Sequence, residues 1–180
     1  MNPALPDAAY AARIASLLHH LGIPADYAAV RGMTLQPEAT ELLPARVLAD
    51  GRELQLTPAA ASAWRDMVAA AAADGVTLLL ISGFRSVDHQ AGILERKRAS
   101  GQSMEEILRV NAAPGFSEHH TGRAVDIGTP GSKPLEETFE TTAAFQWLAR
   151  EAGRFGFRMS YPRHHPSGII YEPWHWLHQD

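Results

Sequence analysis

Two short segments of this chain carry the residue types of a catalytic zinc site. Residues 117–126 read SEHHTGRAVD, and residues 172–175 read EPWH. A catalytic zinc ion is held by three protein ligands, keeps a fourth position open for water, and works beside a carboxylate that takes the water's proton. The chain has no cysteine, so any metal must be bound by His, Asp or Glu. The two segments together supply all of these groups.

Asp126 is the carboxylate ligand candidate of the first segment. It lies in the apolar run 124–127, which is typical of a buried strand. A buried carboxylate is costly unless it is paired or bound to a metal. A buried ion pair with Arg123 or Arg85 is therefore an alternative to metal binding at this position.

The imidazole ligands are less well defined by spacing. His119 and His120 are adjacent and point in different directions, so only one of them is expected to bind, and the spacing does not choose. His175 would face opposite to Glu172 on an ideal strand, but Pro173 favours a bend that could bring both to one site. An edge strand with an aromatic belt is the alternative for His175. The other histidines have no partner spacing and are expected to be non-ligands: His19, His20, His89, His164, His165 and His178.

Composition narrows the function classes. The chain has 180 residues, 46% of them apolar, which is enough for one domain with a sizeable core. The formal net charge of -4 and the lack of a long basic run disfavour nucleic acids and anionic membranes as partners.

The start of the chain does not read as a signal peptide, because it lacks a basic region followed by a continuous apolar run. No stretch is long and apolar enough to be predicted as a transmembrane segment. Three explanations remain open: a cytosolic protein, an export signal outside this sequence, or export by another route.

Hydrophobic periodicity and capping residues predict an α+β fold with a central antiparallel sheet covered by helices. Helices are expected over residues 7–21, 57–74, 86–99, 103–110 and 141–152. A hairpin is expected from residues 45–49 and 53–56, a buried central strand from 76–81, and further strands from 124–127, 157–161 and 169–176. Residues 23–44 are predicted to be a loop or wrap.

The motifs Ser-x-His-x-x-Gly-x-Ala-x-Asp and Glu-Pro-Trp-His resemble those of the VanY-type D-alanyl-D-alanine carboxypeptidases, which share the metal-site fold of lysostaphin and sonic hedgehog. Residues 82–86 with Gln90, and residues 111–116 leading into Ser117, are similar to two further blocks of that family. The likeness runs from about residue 54 to 177. It implies a hedgehog/D-Ala-D-Ala peptidase-like zinc peptidase domain over residues 51–180. Residues 1–50 are expected to add an N-terminal helix and wrap to the same domain.

The resemblance implies a ligand set for Zn²⁺. It assigns the metal to His119, Asp126 and His175, and so favours His119 over His120. Relatives usually have Gln at position 120, so His120 is a departure that would place a second imidazole near the metal.

The resemblance also implies catalytic and substrate-binding residues. Glu172 corresponds to the general base, and Arg85 to the residue that contacts the scissile carbonyl or a substrate carboxylate. Gln90 and Ser117 are further substrate-binding candidates. An ordinary ion pair at the end of a strand is the alternative for Arg85.

The implied activity is zinc-dependent removal of C-terminal D-alanine from peptidoglycan stem peptides or muropeptides by a monomer. Three alternatives are an L,D-carboxypeptidase acting on tetrapeptides, a phage-like peptidoglycan endopeptidase, and a non-catalytic zinc-containing binding module. Glu172 argues against the last, because a pure binding site needs no base. The implied substrate places the protein in the cell envelope or periplasm, with the cytoplasm as the alternative.

Overall fold

A four-stranded antiparallel sheet lies at the centre of the structure, a computed structural model that describes residues 7–179. Residues 1–6 of the predicted N-terminal segment and Asp180 lie outside the described residues. The helices are α1 Ala8–Leu21, α2 Tyr27–Arg31, α3 Pro58–Ala73, α4 Val87–Ala99, α5 Met104–Val110 and α6 Ala143–Glu151. The strands are β1 Leu43–Val47, β2 Glu53–Leu56, β3 Leu79–Ser82, β4 Ala124–Gly128, β5 Phe157–Met159 and β6 His175–His178.

The order of strands in the main sheet is β3-β4-β6-β5, and every neighbouring pair is antiparallel. Strand β4 lies inside the sheet and is buried along its whole length. Asp126 on β4 pairs directly with His175 on β6, and Val125 pairs with Trp176. Directly opposed residues share a face of the sheet and successive residues alternate, so Asp126 and His175 share one face while Trp176 points to the other. The predicted α+β architecture is confirmed.

The main apolar core packs α3 and α6 against the sheet face that carries Val125 and Trp176. Trp147 of α6 fixes the two helices to each other, because its indole N–H donates to Asp74 at the end of α3, 2.8 Å away. The buried members from the sheet and its flanks are Leu80, Val125, Ile127, Phe157, Trp174 and Trp176. The opposite face of the sheet is thereby left for polar side chains.

A second apolar cluster joins the N-terminal segment to α4 and α5. Its buried side chains include Ile14 and Leu18 of α1, Leu94 of α4 and Ile107 of α5. Gly115 allows α1 to approach the loop before Ser117, since a Cβ at Gly115 would lie 2.7 Å from Ile14 Cγ2. Residues 10–35 therefore pack on α4, α5 and the loop before Ser117. The division at residue 50 remains a prediction.

The predicted helix boundaries are confirmed where a side chain caps the helix. Asp7 accepts from the Tyr10 amide at 2.7 Å, and Ser86 accepts from the His89 amide at 3.1 Å. Ser103 and Glu106 form the expected capping box of α5. Thr57 is different, because its hydroxyl makes no capping hydrogen bond, and Pro58 begins α3 without it.

Two predictions of extended structure were wrong in position. The run 76–81 was expected to be a central strand, but β3 lies at the edge of the main sheet. Leu80 is buried in the main core, while Leu79 and Ile81 are partly exposed. Near this edge, Arg46 donates to the Leu80 carbonyl, and Phe84 N donates to Gln55 O of β2. Of the predicted strand 169–176, only the last two residues belong to β6, because residues 173–174 form a turn.

The region 23–44 is not only loop. It contains the short helix α2 Tyr27–Arg31, which ends at Gly32, and it includes the start of β1. The prolines that indicated a loop lie outside α2. Among residues 7–179, no helix combines the length and the apolar composition needed to cross a bilayer.

Candidate active site

Three buried side chains converge on one point at the polar face of the sheet. His119 Nε2 lies 3.2 Å from Asp126 Oδ2, and His175 Nδ1 lies 3.0 Å from Asp126 Oδ1. One ligand atom from each residue lies within 4.8 Å of the other two. Two imidazole nitrogens and a carboxylate at these separations could hold a metal ion.

Different elements bring these three side chains together. Asp126 and His175 are register partners on β4 and β6. His119 lies in a 3-10 turn, Glu118–Thr121, which ends at Gly122 with a φ of 64°. A Cβ at Gly122 would also lie 2.9 Å from the Leu42 side chain. Glycine at this position thus lets the turn close tightly enough to place His119 beside the strand ligand.

The outer nitrogen of each candidate ligand histidine is already occupied by an acceptor. His119 Nδ1 lies 2.7 Å from the Gly83 carbonyl oxygen, and His175 Nε2 lies 2.9 Å from Glu118 Oε2. Metal-binding histidines usually donate their second ring N–H to such an acceptor, which fixes the tautomer and the ring orientation. With the outer nitrogen of each ring bonded to an acceptor, the inner nitrogen, which faces Asp126, is the one available to coordinate a metal.

His120 does not belong to this cluster of candidate ligands. Its Nδ1 lies 2.6 Å from the Arg85 carbonyl oxygen, and its Nε2 accepts from the Gly115 amide at 3.0 Å. Burial lowers the pKa of His120 to about 4, so the ring is neutral. His120 is not a ligand candidate, because both of its ring nitrogens bond to the backbone, and its effect near the metal stays a prediction.

Glu172 lies beside the cluster without belonging to the candidate ligand group. Its Oε2 is 3.9 Å from His175 Nδ1, and its side chain is 13% exposed. The turn that follows Glu172 is closed by a hydrogen bond from the His175 amide to the Glu172 carbonyl, 3.1 Å long. The predicted bend at Pro173 is therefore confirmed, and it turns both side chains toward one site.

Electrostatics favour a cation at this point. Burial alone would raise the pKa of Asp126, but the neighbouring imidazoles His119 and His175 outweigh it and lower that pKa. Burial would lower the pKa of His175, but Asp126 and Glu118 outweigh it and raise the pKa to about 10. Without a metal, a proton on His175 thus supplies positive charge between two carboxylates. A divalent cation would supply more.

The pKa of Glu172 is suited to proton transfer. Burial raises it to about 7; His175 opposes this rise, and the Asp126 carboxylate adds to it. A carboxyl group that titrates near neutrality is a better general base than one of ordinary acidity. Burial lowers the pKa of His119, and the Asp126 carboxylate opposes that shift.

Arg85 is oriented toward the cluster by its own partners. Its Nη1 donates to Gln90 Oε1 at 2.8 Å, and its Nη2 lies 4.0 Å from Asp126 Oδ2. Gln90 is in turn anchored, because its Nε2 donates to the Ala112 carbonyl at 2.7 Å. The Arg85–Asp126 ion pair named as an alternative is present only at this longer separation, while both imidazoles lie closer to Asp126.

All of the predicted site residues line one cleft of about 250 Å³. The set is Arg85, Gln90, Ser117, His119, Asp126, Glu172 and His175. Both ends of the Gln90 amide are engaged by Arg85 and Ala112, which points to a role in holding Arg85. Direct substrate contacts by Gln90 and Ser117 remain predictions.

Sequence reasoning missed Glu118 and Tyr161. Glu118 bonds to His175, and the Tyr161 ring centroid lies 4.9 Å from that of His175. Burial, followed by the carboxylates of Glu118 and Glu172, raises the pKa of Tyr161, which keeps its hydroxyl protonated in the cleft. The position of Glu118 directly before a ligand candidate was an available signal. Nothing in the sequence pattern singled out Tyr161.

A family model described as VanY: D-alanyl-D-alanine carboxypeptidase matches residues 53–179. The chain belongs to this family. The chain is 36% identical over 119 residues to the putative carboxypeptidase YodJ of Bacillus subtilis, a match that covers 64% of this chain and 43% of YodJ. It is 35% identical over 122 residues to a D-alanyl-D-alanine carboxypeptidase of Enterococcus faecalis, with 62% and 44% covered. The match thus spans less than half the length of these two relatives.

Solved structures of VanY-type proteins share the fold. The LdcB LD-carboxypeptidase superposes with a TM-score of 0.69 at 31% identity, covering 78% of this chain and 69% of LdcB. VanYB in complex with D-alanine-D-alanine gives 0.63 at 29%, with 81% of each chain covered. A variant of the vancomycin-resistance D,D-pentapeptidase VanY in complex with Zn(II) gives 0.61 at 28%, with 79% and 83% covered. The hedgehog/D-Ala-D-Ala peptidase-like fold predicted from the sequence is thereby confirmed.

Proposed function

We propose that this VanY-family chain is a zinc-dependent D,D-carboxypeptidase that removes the C-terminal D-alanine from peptidoglycan stem peptides. The observation that carries the proposal is the set of His119, Asp126 and His175, whose ligand atoms meet within 4.8 Å beside the non-ligand Glu172. A family match and a relative of that activity support it.

Zinc fits the residues present. His119, Asp126 and His175 would hold it, which leaves a coordination position for water or substrate. The outer-nitrogen hydrogen bonds to Gly83 and Glu118 are those expected around zinc-bound histidines. A family member of known structure is in complex with Zn(II). When bound, zinc lowers the pKa of a coordinated water and polarises the scissile carbonyl.

Two residues of the chain itself would carry out the other catalytic roles. Glu172 is placed to accept a proton from the attacking water and to return it to the amine of the leaving D-alanine. Burial raises the pKa of this carboxyl group in the metal-free site, and a bound cation would oppose that rise and favour the carboxylate that accepts the proton. Gln90 orients the Arg85 guanidinium toward the cluster, where it can stabilise the negative charge that develops on the carbonyl oxygen.

An L,D-carboxypeptidase is the second candidate, because LdcB superposes well on this chain. The family description and the Enterococcus faecalis relative favour the D,D bond. The endopeptidase alternative has no comparable support. The buried carboxyl group of Glu172, whose pKa is raised to about 7, argues against a pure binding module. The monomeric state remains a prediction, and so does a location in the cell envelope, which follows from the expected substrate.

Mass spectrometry of purified muropeptides, incubated with the zinc-loaded protein, tests the proposal. We expect pentapeptides to lose one alanine and tetrapeptides to remain intact. Conversion of tetrapeptides to tripeptides alone would show the L,D activity instead. Cleavage of cross-links in intact sacculi, with no change to soluble muropeptides, would indicate an endopeptidase.

A further inference from the structure

Lys97 is a second cation of the active-site cleft. It lines the same cleft as Arg85 and Gln90, although the cluster of candidate metal ligands does not involve it. Gln90 and Lys97 lie seven residues apart on α4, so they share one face of that helix. Long helical side chains lean toward the N-terminus, which directs the Lys97 ammonium back toward Gln90 and Arg85.

No carboxylate neutralises Lys97 in the part of the chain that the structure describes. Ion pairs within 4.0 Å are found for other cations, such as Lys133 with Glu136 at 3.5 Å, whereas none involves Lys97 among residues 7–179. Burial lowers the pKa of Lys97, and the positive charge of Arg85 lowers it further. A cation without a carboxylate partner, lying in one cleft with Arg85, contributes a positive potential suited to an anionic ligand.

The helix itself does not explain why Lys97 faces the cleft. Cations in a last turn stabilise a helix by interacting with its dipole, and α4 has Arg96, Lys97 and Arg98 there. Arg96 and Arg98 are exposed, so this end of the helix has two basic side chains apart from Lys97. Lys97 is the half-buried member of the three.

Arg85 is already committed within the site. It bonds to Gln90 at 2.8 Å and lies 4.0 Å from Asp126, which places its guanidinium beside the candidate metal ligands, where the proposed function uses it for the reacting carbonyl oxygen. A carboxypeptidase substrate also brings a full negative charge of its own. Resting on the function proposed above, we propose that Lys97 is a second anion-binding group of the cleft, which takes a carboxylate of the stem peptide.

Two carboxylates of a stem peptide have this chemistry. One is the C-terminal carboxylate of the leaving D-alanine, whose recognition would restrict the enzyme to chain ends. The other is the side-chain carboxylate of a diaminopimelate at the third position, which a lysine at that position lacks. Both would form a charge-assisted hydrogen bond with the ammonium group.

The test compares Lys97→Met with Arg96→Met, which removes the same charge from the exposed surface of the same helical turn. Kinetics use three pentapeptides: lysine at position three with a free C-terminus, its C-terminal amide, and the diaminopimelate peptide with a free C-terminus. We expect Lys97→Met to lower kcat/KM for at least one free-acid peptide by roughly ten- to a hundredfold, as for loss of a charged hydrogen bond. Lys97→Arg should retain most of it, and Arg96→Met should stay within twofold of the parent.

The pattern of losses distinguishes the two carboxylates. A loss with both free-acid peptides that disappears with the amide assigns Lys97 to the C-terminal carboxylate. A loss confined to the diaminopimelate peptide assigns it to the side chain. Equal rates for Lys97→Met and Arg96→Met on all three peptides would overturn the proposal.

Binding measurements separate this proposal from the proposed function. Calorimetric titration of the same peptides into the zinc-loaded Glu172→Gln protein, with and without Lys97→Met, needs no turnover. If the parent cleaves nothing, the proposed function fails. Lys97 is still supported if Lys97→Met weakens binding of a free-acid peptide and Arg96→Met does not. Unchanged affinity on adding Lys97→Met would overturn the role of Lys97.

Discussion

Glu118 and Asp126 bind opposite edges of the His175 ring: Glu118 Oε2 lies 2.9 Å from Nε2, and Asp126 Oδ1 lies 3.0 Å from Nδ1. The two carboxylates fix the ring between them. Burial would raise the pKa of Glu118, but the hydrogen bond to His175, the positive charge of that ring and smaller effects of Ser160 and Arg158 together outweigh it and lower the pKa, so Glu118 is ionised. An ionised acceptor behind a zinc-bound imidazole makes that imidazole a stronger donor to the metal.

Glu118→Gln should therefore weaken zinc binding by roughly tenfold or more, the usual cost of altering such an outer contact. The amide keeps the shape of the side chain and removes its charge. Competition with a chelator of known affinity measures the effect, and Glu105→Gln, an exposed glutamate on α5, serves as the matched control. Equal zinc affinities of the two variants would show that Glu118 does not tune His175.

The ligand assignment predicts which histidines zinc requires. His119→Ala and His175→Ala should each lose stoichiometric zinc, because the two protein ligands that remain are too few to hold the ion. His120→Gln should keep it, since the ring of His120 bonds to the Arg85 carbonyl and the Gly115 amide. Metal analysis after dialysis decides. Zinc retained by both alanine variants and lost from His120→Gln would contradict the assignment.

The raised pKa of Glu172 predicts that the free energy of unfolding of the metal-free protein falls as the pH rises. In the folded protein its pKa is about 7, above the ordinary value of 4.5, so the folded state binds the Glu172 proton more tightly than the unfolded chain. The stability that this proton adds is fully present below pH 4.5. It is lost as the pH rises through 7, because the buried group must then ionise. Glutamine does not titrate, so Glu172→Gln avoids that cost. Between pH 4 and pH 8 the free energy of unfolding of the variant should rise, relative to that of the parent, by on the order of 2–3 kcal/mol.

Urea unfolding in the presence of a chelator measures this difference at both pH values. Glu105→Gln again provides the control, because an exposed carboxylate should give a difference that changes little with pH. A constant free-energy difference between parent and Glu172→Gln across the range would mean that Glu172 is not desolvated as the structure indicates.

Arg85→Lys keeps the charge but should lower kcat/KM by roughly ten- to a hundredfold. The planar guanidinium reaches Gln90 with one nitrogen and faces Asp126 with the other, and a single ammonium cannot do both. Steady-state kinetics of the folded, zinc-loaded variant measure the loss, with Arg52→Lys at an exposed site as the control. A change of less than about threefold, or roughly 0.65 kcal/mol, would assign Arg85 a structural role.

The parts of the molecule that local chemistry determines could be predicted from the sequence. Asp7, Ser86 and Ser103 cap helices with their own side chains, so the boundaries of α1, α4 and α5 followed from residue types. The bend at Pro173 was foreseeable because proline cannot donate to a regular strand. The ligand set came from the family likeness, since spacing alone left His119 and His120 equivalent.

The parts that depend on tertiary contacts could not be predicted. β3 looked central because its side chains are apolar, and only the folded chain shows that Arg46 and β2 cover its edge. The orientation of the His120 ring depends on the carbonyl of Arg85, which is distant in the sequence, and on the amide of Gly115, which lies in a turn. The sequence did not predict a role for Glu118, because its hydrogen-bond partner His175 lies 57 residues later in the chain.

The central claim is that this site hydrolyses the terminal D-alanine bond with Glu172 as its base. Release of free D-alanine from a stem pentapeptide, compared between zinc-loaded parent and zinc-loaded Glu172→Gln, tests it most directly. We predict that both proteins bind one zinc per chain, and that the variant releases D-alanine roughly 100- to 10,000-fold more slowly, as for loss of a general base. Near-parental release by Glu172→Gln, or no release by the parent with zinc bound, would contradict the account.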